Sequence, residues 1–174
     1  MRRSGHQSSR RVLLAPRGTY SSVELQVRDA RLTDIDRITG LMERSDSRWS
    51  LDQLNDAADV LRQMIYQPNA SIMVCLDGRM VLGACVLALR PSVAATGLVG
   101  MIDLLAVEPG HELDGVVDTL LRELMRQARN KGCVALEGNV PDEPAELARW
   151  ESVGFTESGP QMRLPLVRSA VAIW

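Results

Sequence analysis

Residues 104–124, LLAVEPGHELDGVVDTLLREL, read as an apolar strand, a short glycine loop and an amphipathic helix. Val117, Leu120, Leu121, Leu124, Met125 and Ala128 trace one helical stripe, which Lys131-Gly132 brings to an end. Such a layout aims backbone N–H groups and the positive end of a helix dipole at one spot, the usual seat of a phosphate. This chain instead places Glu112 and Asp114 in the loop and Asp118 one turn on. A phosphate about 6 Å from each carboxylate would meet roughly 2–3 kcal/mol of repulsion per acid at an effective dielectric of about 20. A backbone amide bonded to a charged group contributes roughly 1.5–3 kcal/mol, so the acids offset most of what the loop amides could offer. Carboxylates at a helix N-terminus also stabilise that helix, by roughly 0.3–1 kcal/mol each. The loop is therefore expected to keep its shape while its own acids take the place of an anion.

The other elements follow from periodicity. VELQVRDA (Val23 to Ala30) alternates apolar and polar residues as a half-buried strand does. LTDIDRITGLMER is a helix with Thr33 as N-cap and Ile35, Ile38, Leu41 and Met42 on its inner face. WSLDQLNDAADVLRQMIYQP is a second, with Ser50 and Gln53 as a capping box, Leu51, Leu54, Ala58, Leu61 and Ile65 on one face, and Pro68 beyond its end. SIMVCL and RMVLGACVLAL form a hairpin turning at Asp77-Gly78. LVGMIDLLAV is the next strand and CVALEGNV a later one. EPAELARWESV is a helix stopped by Gly154, and FTESGPQMRLPL a final strand or hairpin. The order is β-α-α-β-β-β-α-β-α-β, with no internal repeat and no second domain.

At 174 residues the chain suffices for one well-buried core. Its net charge of -2 and pI near 5.7 give no bulk reason to expect nucleic acid as a partner. No apolar run approaches the length of a membrane span. Cys75, Cys85 and Cys133 are far apart, and the first two lie in apolar runs, so buried free thiols and a reducing, cytoplasmic setting are expected. Two histidines and no clustered ligands imply no metal. Residues 1–22 are an Arg/Ser-rich arm without an acid, and residues 167–174 are an apolar tail. Both are expected to act as contact segments, toward a protein partner or a second copy of the chain.

The element order, the strand exit DLLAVEPG, the glycine loop and the segment WESVGF together resemble the GNAT (N-acetyltransferase) superfamily over about Val23 to Leu166. The resemblance implies an α/β (α+β) domain over residues 23–166. Its central sheet is mixed, mostly antiparallel and splayed between strands 4 and 5, with about four flanking helices. It also implies acetyl-CoA in the splay, with pantetheine along Leu105, Ala106 and Val107 and the pyrophosphate on residues 112–117. The family loop reads Arg/Gln-x-x-Gly-x-Gly/Ala. Here Glu112 stands at the Arg/Gln position, Leu113 and Asp114 follow, Gly115 is kept, Val116 comes next, and Val117 replaces the last small residue. The family's Tyr general acid is Trp150, whose indole N–H is not an acid at useful pH, and its Asn is Glu143.

Two function classes follow. One is an acyl-CoA-dependent N-acetyltransferase acting on an amine. In it Asp103 is the base, which burial between Ile102 and Leu104 would suit to that role, and water replaces the missing Tyr. His111 is a lesser candidate for the base or for touching a phosphate. The other is a degenerate member that binds CoA weakly or not at all and serves as a binding or structural subunit. The loop acids, Val117 and Trp150 together favour this second class, since a fold does not fix a function.

Overall fold

Three β-rich runs follow one another closely after the second helix, and the strands pair in chain order. The structure, a computed structural model, describes residues 25–111 and 115–159. The strands are β1 (Leu25–Asp29), β2 (Ala70–Asp77), β3 (Met80–Ser92), β4 (Gly97–Val107) and β5 (Cys133–Glu137). The helices are α1 (Ile35–Ser45), α2 (Leu51–Met64), α3 (Val116–Asn130) and α4 (Pro144–Ser152). One five-stranded sheet runs β1-β2-β3-β4-β5, antiparallel except for the parallel pairing of β4 with β5, which α3 connects. The architecture is the one the sequence implies up to α4. Phe155 to Gly159 contains no strand, and the rest of the expected final strand, like the arm and the tail, lies outside the described residues.

The sheet separates two apolar clusters. Ile72, Val74, Leu76, Ala84, Val86 and Ala106 face the stripe Ile35, Ile38, Leu41 and Met42 of α1 and Leu54, Ala58 and Leu61 of α2. Met73, Cys75, Cys85, Leu87, Ile102 and Val107 face the α3 stripe and Trp150 of α4. Each fully buried aliphatic side chain contributes about 1.5–3 kcal/mol. Gly83 gives α3 its close approach: a Cβ there would stand 2.7 Å from Val116 Cγ1. Cys75 and Cys85 are free and buried, and burial pushes the Cys75 thiol up to about 11, so neither is a reactive thiolate.

Several local expectations shift by a residue or a turn. Thr33 does not cap α1; it lies in a single 3-10 turn, Leu32–Asp34, and α1 begins only at Ile35. Asp34 holds the junction, its carboxylate accepting from Arg28 Nη1 at 2.7 Å, Arg28 Nη2 at 3.0 Å and the Arg31 backbone N–H at 2.8 Å. Ser50 and Gln53 do form the capping box of α2. Leu51 is exposed rather than facing inward, because a side chain in the first turn tilts back past the helix start, beyond what the sheet covers. The hairpin turn is Gly78-Arg79, between the paired Asp77 and Met80, with Gly78 at a φ of 55°.

Candidate active site

A parallel strand reached through a helix pairs with β4 only where the two lie side by side. That pairing stops at Met101↔Glu137, while among the described residues β4 continues to Val107 against β3 alone. The split coincides with a bulge. Val86 opposes Leu104 and Leu87 opposes Ile102, so Asp103 is the extra residue of β4. Without it Asp103 would alternate to the face opposite Leu104; with it both side chains border one cavity on the α2 side. Asp103 is consequently exposed, not buried between Ile102 and Leu104.

Beyond the bulge the Glu108 N–H donates to the Leu82 carbonyl at 2.8 Å. Strand alternation then turns the N–H and C=O of Leu105 and Val107 toward the open side, away from β3. They border a groove of about 650 Å³ whose walls are Leu105, Ala106 and Val107 on β4, Val117 on α3, and Glu146 and Arg149 on α4. Arg48 and Asp46 stand at its α1 side and are bonded to each other, Nε to Oδ1 at 3.0 Å. Arg44 clasps Glu108 just past the strand, Nε to Oε1 and Nη2 to Oε2 both at 2.8 Å, which holds the Glu108 carboxyl below its usual range. The His111 N–H donates to the Glu108 carbonyl at 3.0 Å, closing the turn.

Glu112, Leu113 and Asp114 lie outside the described residues. Gly115 caps α3 in a left-handed conformation, φ 78° and ψ 8°, and the Thr119 N–H donates to its carbonyl at 3.0 Å. Val116 and Val117 are buried: Val117 forms the groove floor and packs in the core. Asp118 meets a cation, Arg149 Nε, at 3.5 Å.

The Trp150 indole fills the crotch where β4 and β5 part. It is 6% exposed, packs in the core with Ile102, and lies so close to Gly138 that a Cβ there would stand 2.6 Å from its Cζ3. Its Nε1–H is buried with no acceptor among the described residues. The segment WESVGF is a helix ending: the Phe155 N–H donates to the Trp150 carbonyl at 3.1 Å and the Gly154 N–H to that of Glu151 at 2.9 Å, with Gly154 at a φ of 102°. The Phe155 ring closes it by packing on Trp150 at a centroid distance of 4.8 Å.

The cavity on the other face, about 320 Å³, lies between α2 and the sheet. Met42, Trp49, Val60, Met64 and Leu104 supply apolar walls, and Gln53, Asp56 and Asp103 the polar groups. Sequence reasoning missed Asp56 and Trp49 here, as it missed Arg48 and Arg149 in the groove. The signal for the cavity was a second stripe, Gln53, Ala57, Val60 and Met64, running beside the core stripe of α2. Among the described residues no three His, Cys, Asp or Glu side chains gather as a metal site. No helix among them is long and apolar enough to cross a membrane.

A mixed sheet split beside a bulge, with an open strand edge leading to a helix N-terminus, is the layout of the acyl-CoA N-acyltransferase fold. A sequence model of the Acetyltransferase (GNAT) family matches residues 35–155, and the chain belongs to that family. Similar solved structures include an acetyltransferase of Trypanosoma brucei, 24% identical with a TM-score of 0.65 over 82% of this chain and 100% of that one. AAC(6')-Iy, in complex with the bisubstrate analogue CoA-S-monomethyl-acetylneamine, is 16% identical with a TM-score of 0.66 over 85% and 99%. A predicted acetyltransferase of Clostridium acetobutylicum, solved with acetyl-CoA, is 15% identical with a TM-score of 0.68 over 82% and 96%. At these identities the likeness concerns the fold. No curated protein matches the chain.

Proposed function

We propose that the chain is an acyl-CoA-dependent N-acetyltransferase that acts on an amine held beside Asp103. One observation carries the reading: the edge of β4 from Leu105 to Val107 faces an open groove of about 650 Å³ instead of a fifth strand. An extended pantetheine chain suits such an edge, because the free N–H and C=O groups accept it as they would a neighbouring strand. Gly115 at the head of a 15-residue helix suits the diphosphate end. Bound acyl-CoA supplies an acyl group activated as a thioester.

The residues then divide the work. Leu105 and Val107 orient the donor through backbone hydrogen bonds. Asp103, on the bulge, borders the cavity on the far face and takes the proton that the amine gives up. The indole at position 150 has no proton to return at useful pH, so the departing thiolate takes its proton from water. The loss of a general acid lowers the rate without removing the positioning contribution.

Trp150 also favours a second reading. Its side chain fills the crotch beside Gly138, where an acyl group would need room, and this suits a binding subunit that retains the groove without the chemistry. The contact segments of such a subunit would be the arm of residues 1–22 and the tail of residues 167–174, against a protein partner or a second copy. Calorimetric titration with acetyl-CoA, followed by thiol release over a panel of amines, decides between them. The first reading expects saturable binding and release that Asp103→Asn lowers by about a hundredfold or more. Binding without release for any amine supports the second. Absence of any melting-temperature rise with ligand removes the first reading and leaves the second, since ligand at about a hundred times its Kd stabilises by about 2.7 kcal/mol.

A further inference from the structure

We propose that the cavity between α2 and the sheet selects a small cationic amine whose body is apolar and free of acid and hydroxyl groups. The inference deepens the acyltransferase reading and rests on it for the claim that this amine is the acceptor. The first argument is charge. Asp56 and Asp103 both border the cavity, and among the described residues neither carboxylate makes a hydrogen bond or ion pair with another side chain. Among the described residues no Lys, Arg or His borders it. Three other acids are answered by arginines: Asp59 by Arg62 at 2.8 Å, Asp34 by Arg28 at 2.7 Å, Glu108 by Arg44 at 2.8 Å. The two cavity acids are left for a cation to meet.

The second argument is the character of the walls. Met42, Met64 and Leu104 offer no strong hydrogen-bonding group, and among the described residues the neutral polar groups on the lining are the Trp49 indole N–H and the Gln53 amide. A carboxylated body, or a hydroxyl set away from the two acids, would lose its hydration here without replacing it, and an anionic group would also face both acids. Thioethers beside an aromatic face adapt to flat or branched apolar bodies. A size of about 320 Å³ lies at the small end for ligand sites, which limits the occupant to a small molecule. The third argument is position. Asp103 sits on the bulge, two residues before the free edge of β4 begins at Leu105, so an ammonium end at Asp103 lies at the sheet and the apolar body extends under α2.

The test is calorimetric binding of four matched probes to the full chain, each with and without coenzyme A. Phenethylamine carries the proposed chemistry, phenylalanine adds a carboxylate, ethanolamine replaces the apolar body, and phenethyl alcohol removes the charge. We expect phenethylamine to bind at least about tenfold tighter than each of the others. Asp56→Asn is expected to weaken it about three- to tenfold, and Val60→Lys, which brings a cation to an exposed rim position, more strongly. Equal binding of phenylalanine or ethanolamine, indifference to both substitutions, or no binding of phenethylamine in either state overturns the inference. Selective binding of phenethylamine without thiol release from acetyl-CoA sinks the acyltransferase reading and leaves the amine selectivity standing. Thiol release with ethanolamine as readily as with phenethylamine does the reverse.

Discussion

Arg149 on α4 places its Nε 3.5 Å from Oδ1 of Asp118 on α3, joining the two helices that border the groove. Asp118 is one of the three acids that, in the sequence, stand against a bound diphosphate. In the fold it has a cationic neighbour, and that neighbour lines the groove. The charge balance at this end is therefore set by a pair rather than by an acid alone. Arg149→Ala is expected to weaken acetyl-CoA binding about tenfold, and Asp118→Asn to strengthen it about threefold, in calorimetry at low salt. Both effects shrink as salt is added, because half of the Asp118 side chain is exposed.

Acid stability depends on Asp34. The Arg28 guanidinium, with the Arg31 N–H, holds its carboxyl below the ordinary range. Because the folded-state pKa lies below the unfolded value of about 3.9, the contribution is complete above that value and is lost as pH falls through the folded one. Urea midpoints are expected to be flat from neutral pH to about 5 and then to fall. Asp34→Asn is expected to lower the plateau and to flatten the acid limb.

Gly115 is needed for its backbone, not for space. A Cβ there meets no atom within 4 Å, yet the residue sits at a φ of 78°. Gly115→Ala is expected to cost about 1–2 kcal/mol by chemical denaturation. Gly115→Asn, a larger change, is expected to cost less, since Asn tolerates the left-handed region. Reversal of that order would show that packing, and not φ, governs the site.

How much of this was legible depends on whether neighbours in sequence or neighbours in space decide. WESVGF was readable because a helix ending is local: Gly154 supplies the positive φ and Phe155 packs on Trp150 one turn back. The stripes of α1 and α3 were readable for the same reason. The bulge at Asp103 was not, because it exists only relative to the partner residues Val86 and Leu87. Without the bulge the sequence leaves Asp103 either buried or on the solvent side of an alternating strand; the structure exposes it, at a cavity. Arg149 was passed over because its value comes from α3 lying alongside, and Asp56 because a lone acid on an exposed helix face looks solvated. Thr33 was misjudged as a cap because Asp34 and the distant Arg28 make the stronger junction.

Gly138 and Trp150 are expected to be coupled. A methyl group on Gly138 would stand 2.6 Å from Cζ3 and 2.8 Å from Cη2 of the indole. Gly138→Ala is expected to destabilise by about 1–3 kcal/mol, the usual cost of overpacking. In a Trp150→Phe background, which lacks those two atoms, most of that cost should vanish, a coupling of about 1 kcal/mol or more in a double-mutant cycle.

The parallel pairing of β4 with β5 has a kinetic consequence. β2, β3 and β4 join through short turns, so their contacts close short loops, whereas β5 must await the α3 crossover. β5 should therefore join later and open earlier than the β2–β3 hairpin. Amide protons of residues 133–137 should therefore exchange with solvent well before those of residues 72–76, and a ligand that bridges the split would slow the former far more than the latter.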